Sequence, residues 1–180
     1  NKHVKDQLQW GKKEFNNFWY EKPEFWEEMY KQIPNLKQVY FAGGEPLMIK
    51  EHKKFIEEII RQGYQDKILL RYNSNGILVD EDLIELWKKF KKVKFAISMD
   101  AIEKRDEYIR FPTNWDTVEK NLRMLDETPD NIQTSLATAI QIFNVKHLPE
   151  FMKWKVQSKF KKLNLGTVPG DIQMGGGLVN

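Results

Sequence analysis

The chain has 180 residues, of which 41% are hydrophobic, 13% aromatic and 31% charged, with a net charge of +3. That much apolar surface offsets the entropy of ordering the chain and excludes disorder, while a mixed, weakly basic surface gives nucleic-acid binding little support. Cysteine is absent, which excludes disulfides, thiolate metal sites and a cysteine nucleophile within these residues.

In chain order, EFWEEMYKQIP (24–34) reads as a helix that Pro34 ends. KQVYFA (37–42) follows as a strand, and EHKKFIEEIIRQGY (51–64) as a helix with Phe55, Ile56, Ile59 and Ile60 on one stripe and Gly63 as its stop. KILLRYN (67–73) is the next strand. DEDLIELWKKF (80–90) is a helix with acids at Asp80, Glu81 and Asp82 and bases near its end, the charge order a helix dipole favours. VKFAIS (93–98) is a strand. TNWDTVEKNLRMLDE (113–127) is a helix that Thr113 or Asn114 would cap. IQTSLATAI (132–140) reads as a fourth strand, and VKHLPEFMKWKVQSKF (145–160) as a helix with Pro149 in its first turn. KKLNLG (161–166) reads as a fifth strand.

Several of these strands are apolar at consecutive positions, as in sheets covered on both faces. Strand–helix alternation at this pace is the signature of βαβ crossovers and a parallel sheet. A closed eight-unit barrel takes about 250 residues, so the expectation is α/β, either a partial barrel or an open doubly wound sheet. We expect one domain over residues 1–180, incomplete, because both Asn1 and the GGGLVN end read as cut. No run approaches the roughly eighteen apolar residues of a membrane span, and a cytoplasmic location is the default.

In parallel α/β folds the carboxyl ends of the strands share the edge where ligands bind. The first end offers Gly43, Gly44, Glu45 and Pro46, and the second Asn73, Ser74, Asn75 and Gly76. The third offers Ser98 and Asp100, and the fourth Thr138 and Gln141. Such a rim suits a small ligand rich in amine, carboxylate and hydroxyl groups. Each piece also has a structural reading. GGEP and SNG are turn signals, Ser98 and Asp100 can cap a helix, and Asp106 with Arg110 can form a surface i,i+4 pair. WKKFKKVK reads as a solvated helix end, and GTVPGDIQMGGG as a frayed terminus rather than a phosphate loop. His3, His52 and His147 lie on separate elements without metal-ligand spacing.

Taken together, FAGGEPLM (41–48), LRYNSNG (70–76), FAISMDAIEKRDEYIR (95–110) and TNWDTVEKNLRML (113–125) resemble the radical S-adenosylmethionine (SAM) superfamily, and within it the twitch-domain radical SAM proteins. The resemblance runs from about Glu24 to Trp154. It implies a partial (β/α)6 TIM-like barrel, incomplete in this chain. It also implies that Gly43, Gly44, Glu45 and Pro46 bind the methionyl amino group of SAM, and that Ser74, with Asn73 or Asn75, helps hold the cofactor. Ser98 and Asp100 would contact its ribose and carboxylate, and Arg110 would grip the carboxylate bidentately. Thr138 and Gln141 would face the adenosine side.

Two departures stand out. Ala101 replaces the glycine that often follows the S-x-D motif. The CxxxCxxC loop that gives three thiolates to a 4Fe-4S cluster is missing, as is the twitch extension, so a truncation upstream and an inert chain are expected. In the parent protein the resemblance implies an enzyme that reductively cleaves SAM. A 5′-deoxyadenosyl radical then abstracts hydrogen from a peptide or small metabolite, and a reductant feeds the cluster. Two other readings are a Schiff-base barrel enzyme and a non-catalytic binding or scaffold domain. Against the first, Lys67, Lys94 and Lys161 fall at strand beginnings rather than ends.

Overall fold

The computed structural model describes residues 19–165. Four strands, β1 (Gln38–Phe41), β2 (Leu69–Ser74), β3 (Val93–Ser98) and β4 (Ile132–Ala137), form one parallel sheet in the order β1-β2-β3-β4. Helix α1 (Pro23–Gln32) precedes β1, and α2 (Lys50–Arg61) and α3 (Glu81–Lys88) make the first two crossovers. The third crossover holds α4 (Glu103–Ile109) and α5 (Trp115–Asp126), while α6 (Leu148–Gln157) and α7 (Lys161–Leu165) follow β4. A doubly wound sheet reverses its strand order at a switch point. This sheet runs in sequence order without reversal, which is the order of a barrel segment. Among the described residues it is not closed.

The helices pack on one face. Leu70, Tyr72, Val93, Phe95, Ile97, Ile132 and Leu136 are buried there against Phe55, Ile56 and Ile59 of α2, Trp87 of α3 and Leu122 and Leu125 of α5. Each such aliphatic or aromatic side chain contributes about 1.5–3 kcal/mol when fully buried. The other face carries the alternate residues, and Arg71, Lys94 and Gln133 on it are exposed. The expectation of strands covered on both faces is therefore corrected for the described residues. The strands alternate, and the runs looked continuous because Leu69 and Ala96 happen to be apolar on the open face.

The helix starts follow local chemistry. Asp80 Oδ1 accepts from the Leu83 amide at 2.8 Å, and Asn114 Oδ1 from the Thr117 amide at 3.0 Å. Each satisfies one of the amides that a first turn leaves unpaired. The expected fifth strand is not a strand: Lys161–Leu165 is a short helix. Asp126, at the end of α5, accepts from the Lys161 and Lys162 amides at 2.6 and 2.7 Å and so caps it. That cap comes from 35 residues away in sequence, and a five-residue apolar–polar run cannot itself distinguish the two periodicities. The GTVPGDIQMGGG stretch lies outside the described residues.

Candidate functional site

The loop after β1 turns at Gly43, whose φ of +128° lies where L-residues rarely sit. Glu45 then opens the short 3-10 turn Pro46–Met48, its Oε1 accepting from the Leu47 amide at 3.2 Å. The same carboxylate crosses to the end of β2. Ser74 Oγ donates to Oε1 and the Asn75 amide to Oε2, both at 2.8 Å. Ser74 is fixed in turn, because the Gly76 amide donates to its Oγ at 3.0 Å. A carboxylate offers about four lone-pair sites. Three are engaged, which ties the two loops together and leaves acceptor capacity for a ligand donor.

The end of β3 is organised around two buried acids. Asp106 Oδ1 accepts from the Asp100 and Ala101 amides at 2.9 and 3.1 Å, holding the S-x-D turn from the first turn of α4. Burial pushes the Asp106 carboxyl up from its usual range, and the two backbone hydrogen bonds work against that rise. Asp100 Oδ1 accepts from the Ala139 amide at 2.7 Å, and Oδ2 stands 3.0 Å from Arg110 Nε. The Arg110 Nε–H is not aligned with that oxygen, so the contact is an ion pair without a hydrogen bond. The alternative structural reading of Asp106 and Arg110 as a surface pair does not hold: Asp106 is buried, and the acid in ion-pair contact with Arg110 is Asp100. Asn144, also buried, donates to the Asp100 and Ala139 carbonyls at 2.9 and 2.8 Å and locks the loop after β4 behind this turn.

These ends border a cleft of about 480 Å³. Gly43, Gly44, Glu45, Asn73, Ser74, Asn75, Ser98, Asp100 and Arg110 all line it, gathered from three strand ends and the end of α4. Pro46, Thr138 and Gln141 do not. Pro46 is buried beneath the turn. Thr138 Oγ1 donates to the Met99 carbonyl at 2.8 Å, and Gln141 Nε2 reaches Asp100 Oδ2 at 3.4 Å, so both stand behind Asp100. The cleft wall also includes Ile109, Phe111, Pro112 and Thr113. They belong to no strand end: Ile109 closes α4 and the other three follow it. The Phe-Pro pair directly after Arg110 was the available signal, since proline cannot continue α4.

Among the described residues no group of three or more His, Cys, Asp and Glu could hold a metal ion. His52 lies in the core away from the cleft, its Nε2 3.0 Å from the Tyr72 hydroxyl. No described helix is long and apolar enough to cross a membrane.

A parallel sheet in consecutive order, with a polar cleft at the carboxyl ends of its strands, defines a partial TIM-like barrel. The chain belongs to the radical SAM superfamily, whose family model matches residues 7–154. Three solved structures share its fold. The polyhistidine-tagged anSMEcpe with bound AdoMet aligns with TM-score 0.61 at 20% identity, over 79% of this chain and 41% of that one. The native anSMEcpe with bound AdoMet and Kp18Cys peptide gives 0.60 at 21%, over 79% and 41%. The form with AdoMet and Cp18Cys peptide gives 0.61 at 20%, over 79% and 42%. The chain thus spans about two fifths of the length of these structures. No curated protein matches it.

Proposed function

We propose that the cleft binds SAM and that the chain is the SAM-binding part of a radical SAM enzyme of the twitch-domain type. The observation that carries this reading is the convergence of Glu45, Ser74, Ser98 and Arg110, from four separate segments, on one cleft. Its volume falls within the range of about 300–1,000 Å³ usual for cofactor pockets. The residues fit the methionyl end of SAM. Glu45 keeps acceptor capacity for an ammonium donor, and the guanidinium of Arg110 suits a carboxylate. Gly44 supports the fit separately. Its φ is not in the left-handed region, and a Cβ there would meet nothing within 4 Å. Nothing in the fold itself demands a glycine at that position, whereas a ligand lying against the backbone would.

Within this site Asp100 steadies Arg110, and Glu45 joins the β1 and β2 loops so that both walls keep their spacing. Bound SAM would supply, on one-electron reduction, a 5′-deoxyadenosyl group that removes hydrogen from a substrate. A 4Fe-4S cluster does not fit on these 180 residues, because the chain has no cysteine. We place the thiolates outside them, in the parent protein, and expect this chain alone to bind SAM without cleaving it. The substrate is a peptide or small metabolite. A bound peptide in the similar anSMEcpe structure favours the former.

Calorimetric titration of the 180-residue chain with SAM tests the reading. Saturable binding is expected, weakened about tenfold or more in Arg110→Gln. Equal affinity in that variant and in the wild type would overturn it.

A further inference from the structure

The open face of the sheet carries a second feature. Strand register sets Tyr40 beside Arg71, and Arg71 beside Lys94. Paired neighbours lie about 4.8 Å apart across a sheet, and like charges so placed repel. Among the described residues neither cation has an acidic partner, and the sheet positions on this face include no Asp or Glu. Several helix lysines are paired instead: Lys31, Lys54, Lys88 and Lys104 each sit by a glutamate three residues away. Arg71 is instead held over the Tyr40 ring, its Cζ 5.2 Å from the centroid.

A small pocket of about 150 Å³ opens here, lined by Arg71 and Lys94 together with Tyr40, Asn73 and Ser135. Asn73 also lines the larger cleft, so the two spaces adjoin. Arg71 and Asn73 are two residues apart on β2, a rise of about 6.6 Å. In a barrel this face is the interior, where a pair of unpaired cations becomes costly unless an anion joins them.

We propose that Arg71 and Lys94 bind a compact oxyanion of the substrate, a carboxylate or phosphate, and so hold the substrate next to the SAM cleft; this rests on the reading of that cleft given above. A guanidinium takes two such oxygens bidentately, and an ammonium takes a third contact as a point charge. Ser135 and Asn73 add neutral donors. The pocket is large enough for the anionic group and too small for a whole peptide, so the remainder of the substrate would extend toward the cleft.

The test is titration of the 180-residue chain with inorganic phosphate and with glutarate at constant ionic strength, read by the Arg Nε–H signals in NMR. Saturable binding of at least one anion is expected, and the one preferred identifies the source, phosphoryl or carboxylate. Arg71→Gln and Lys94→Gln should each weaken it about tenfold, Lys94→Arg should retain it, and Lys91→Gln, an exposed cation off this face, should leave it unchanged. SAM affinity should stay within about twofold in Arg71→Gln. Arg110→Gln should lose SAM while keeping the oxyanion, which separates failure of the cofactor reading from failure of this one. Anion binding that Arg71→Gln and Lys94→Gln leave intact, that Lys91→Gln weakens equally, or that is absent from the wild type would overturn the proposal.

Discussion

Arg110 stands with its Nε 3.0 Å from Asp100 Oδ2, while the other Asp100 oxygen accepts from the Ala139 amide. One buried carboxylate therefore anchors the guanidinium at the cleft and fastens the loop after β4. The cation lining the cleft and the loop behind it share a single support.

Asp100→Asn separates these two jobs. The amide oxygen still accepts from Ala139, but the charge that steadies Arg110 is gone. SAM affinity should fall about tenfold, with a stability loss of no more than about 1 kcal/mol, the range of an ion pair whose cation is partly exposed. Asp100→Ala also strands the Ala139 amide and should cost about 2–3 kcal/mol. Urea denaturation beside calorimetry checks both, and equal losses in the two variants would contradict the division of roles.

Glu45 has a structural duty that complicates its removal. Glu45→Ala leaves the buried Ser74 hydroxyl and the Asn75 and Leu47 amides without their acceptor. It should destabilise the chain by about 2 kcal/mol or more. Glu45→Gln keeps one acceptor oxygen and should cost less than half of that while still weakening SAM binding. The ratio of stability loss to affinity loss is the diagnostic quantity. If Glu45→Gln bound SAM as tightly as the wild type, the carboxylate would be a loop staple alone.

These contacts show what the chain's letters carried and what they did not. The β1, β2, β3 and β4 strands and the crossover helices α2, α3 and α5 were legible, because periodicity and caps such as Asp80 and Asn114 are local. The seven-residue α4 has no side-chain cap and was not read as a separate helix. The polar residues at three strand ends were legible because parallel strands must deliver their ends to one edge. Lys161–Leu165 was misread because its cap, Asp126, comes from another helix. The alternative of an Asp106–Arg110 surface pair could not be decided from the sequence, because i,i+4 spacing says nothing about burial, which turned Asp106 inward to two backbone amides. The open face of the sheet was invisible, since alternation is masked wherever an outward residue such as Ala96 is small and apolar.

The two glycines of the β1 loop should respond differently to alanine. At Gly43 the φ of +128° makes any side chain strained, so Gly43→Ala should cost about 1 kcal/mol or more. At Gly44 neither φ nor space opposes a methyl group, and stability should stay within about 0.5 kcal/mol. SAM affinity should nevertheless drop in Gly44→Ala, because the methyl group would occupy the cleft. A stable variant with unchanged SAM affinity would remove Gly44 from the binding wall.

His52 sets the acid limit of the core. Burial lowers its imidazole from 6.5 to about 4, and the neutral ring faces the Tyr72 hydroxyl, which Trp87 Nε1 also contacts at 3.2 Å. In the unfolded chain the ring protonates near its ordinary value. Between those two values the unfolded state binds the extra proton, so stability rises with pH across the window. The contribution is complete above about pH 6.5, declines as pH falls through the window, and is gone below about 4. At roughly 1.4 kcal/mol per pH unit the drop amounts to about 3 kcal/mol. Asp106, whose carboxyl is raised by burial, acts with the opposite sign, so wild type alone does not isolate the histidine. Comparison with His52→Gln does, because glutamine preserves an acceptor for Tyr72 and does not titrate. Urea midpoints at pH 7.5, 5.5 and 4.5 should fall more steeply in wild type than in His52→Gln. Parallel profiles would mean that the ring reaches solvent and is not held neutral by the core.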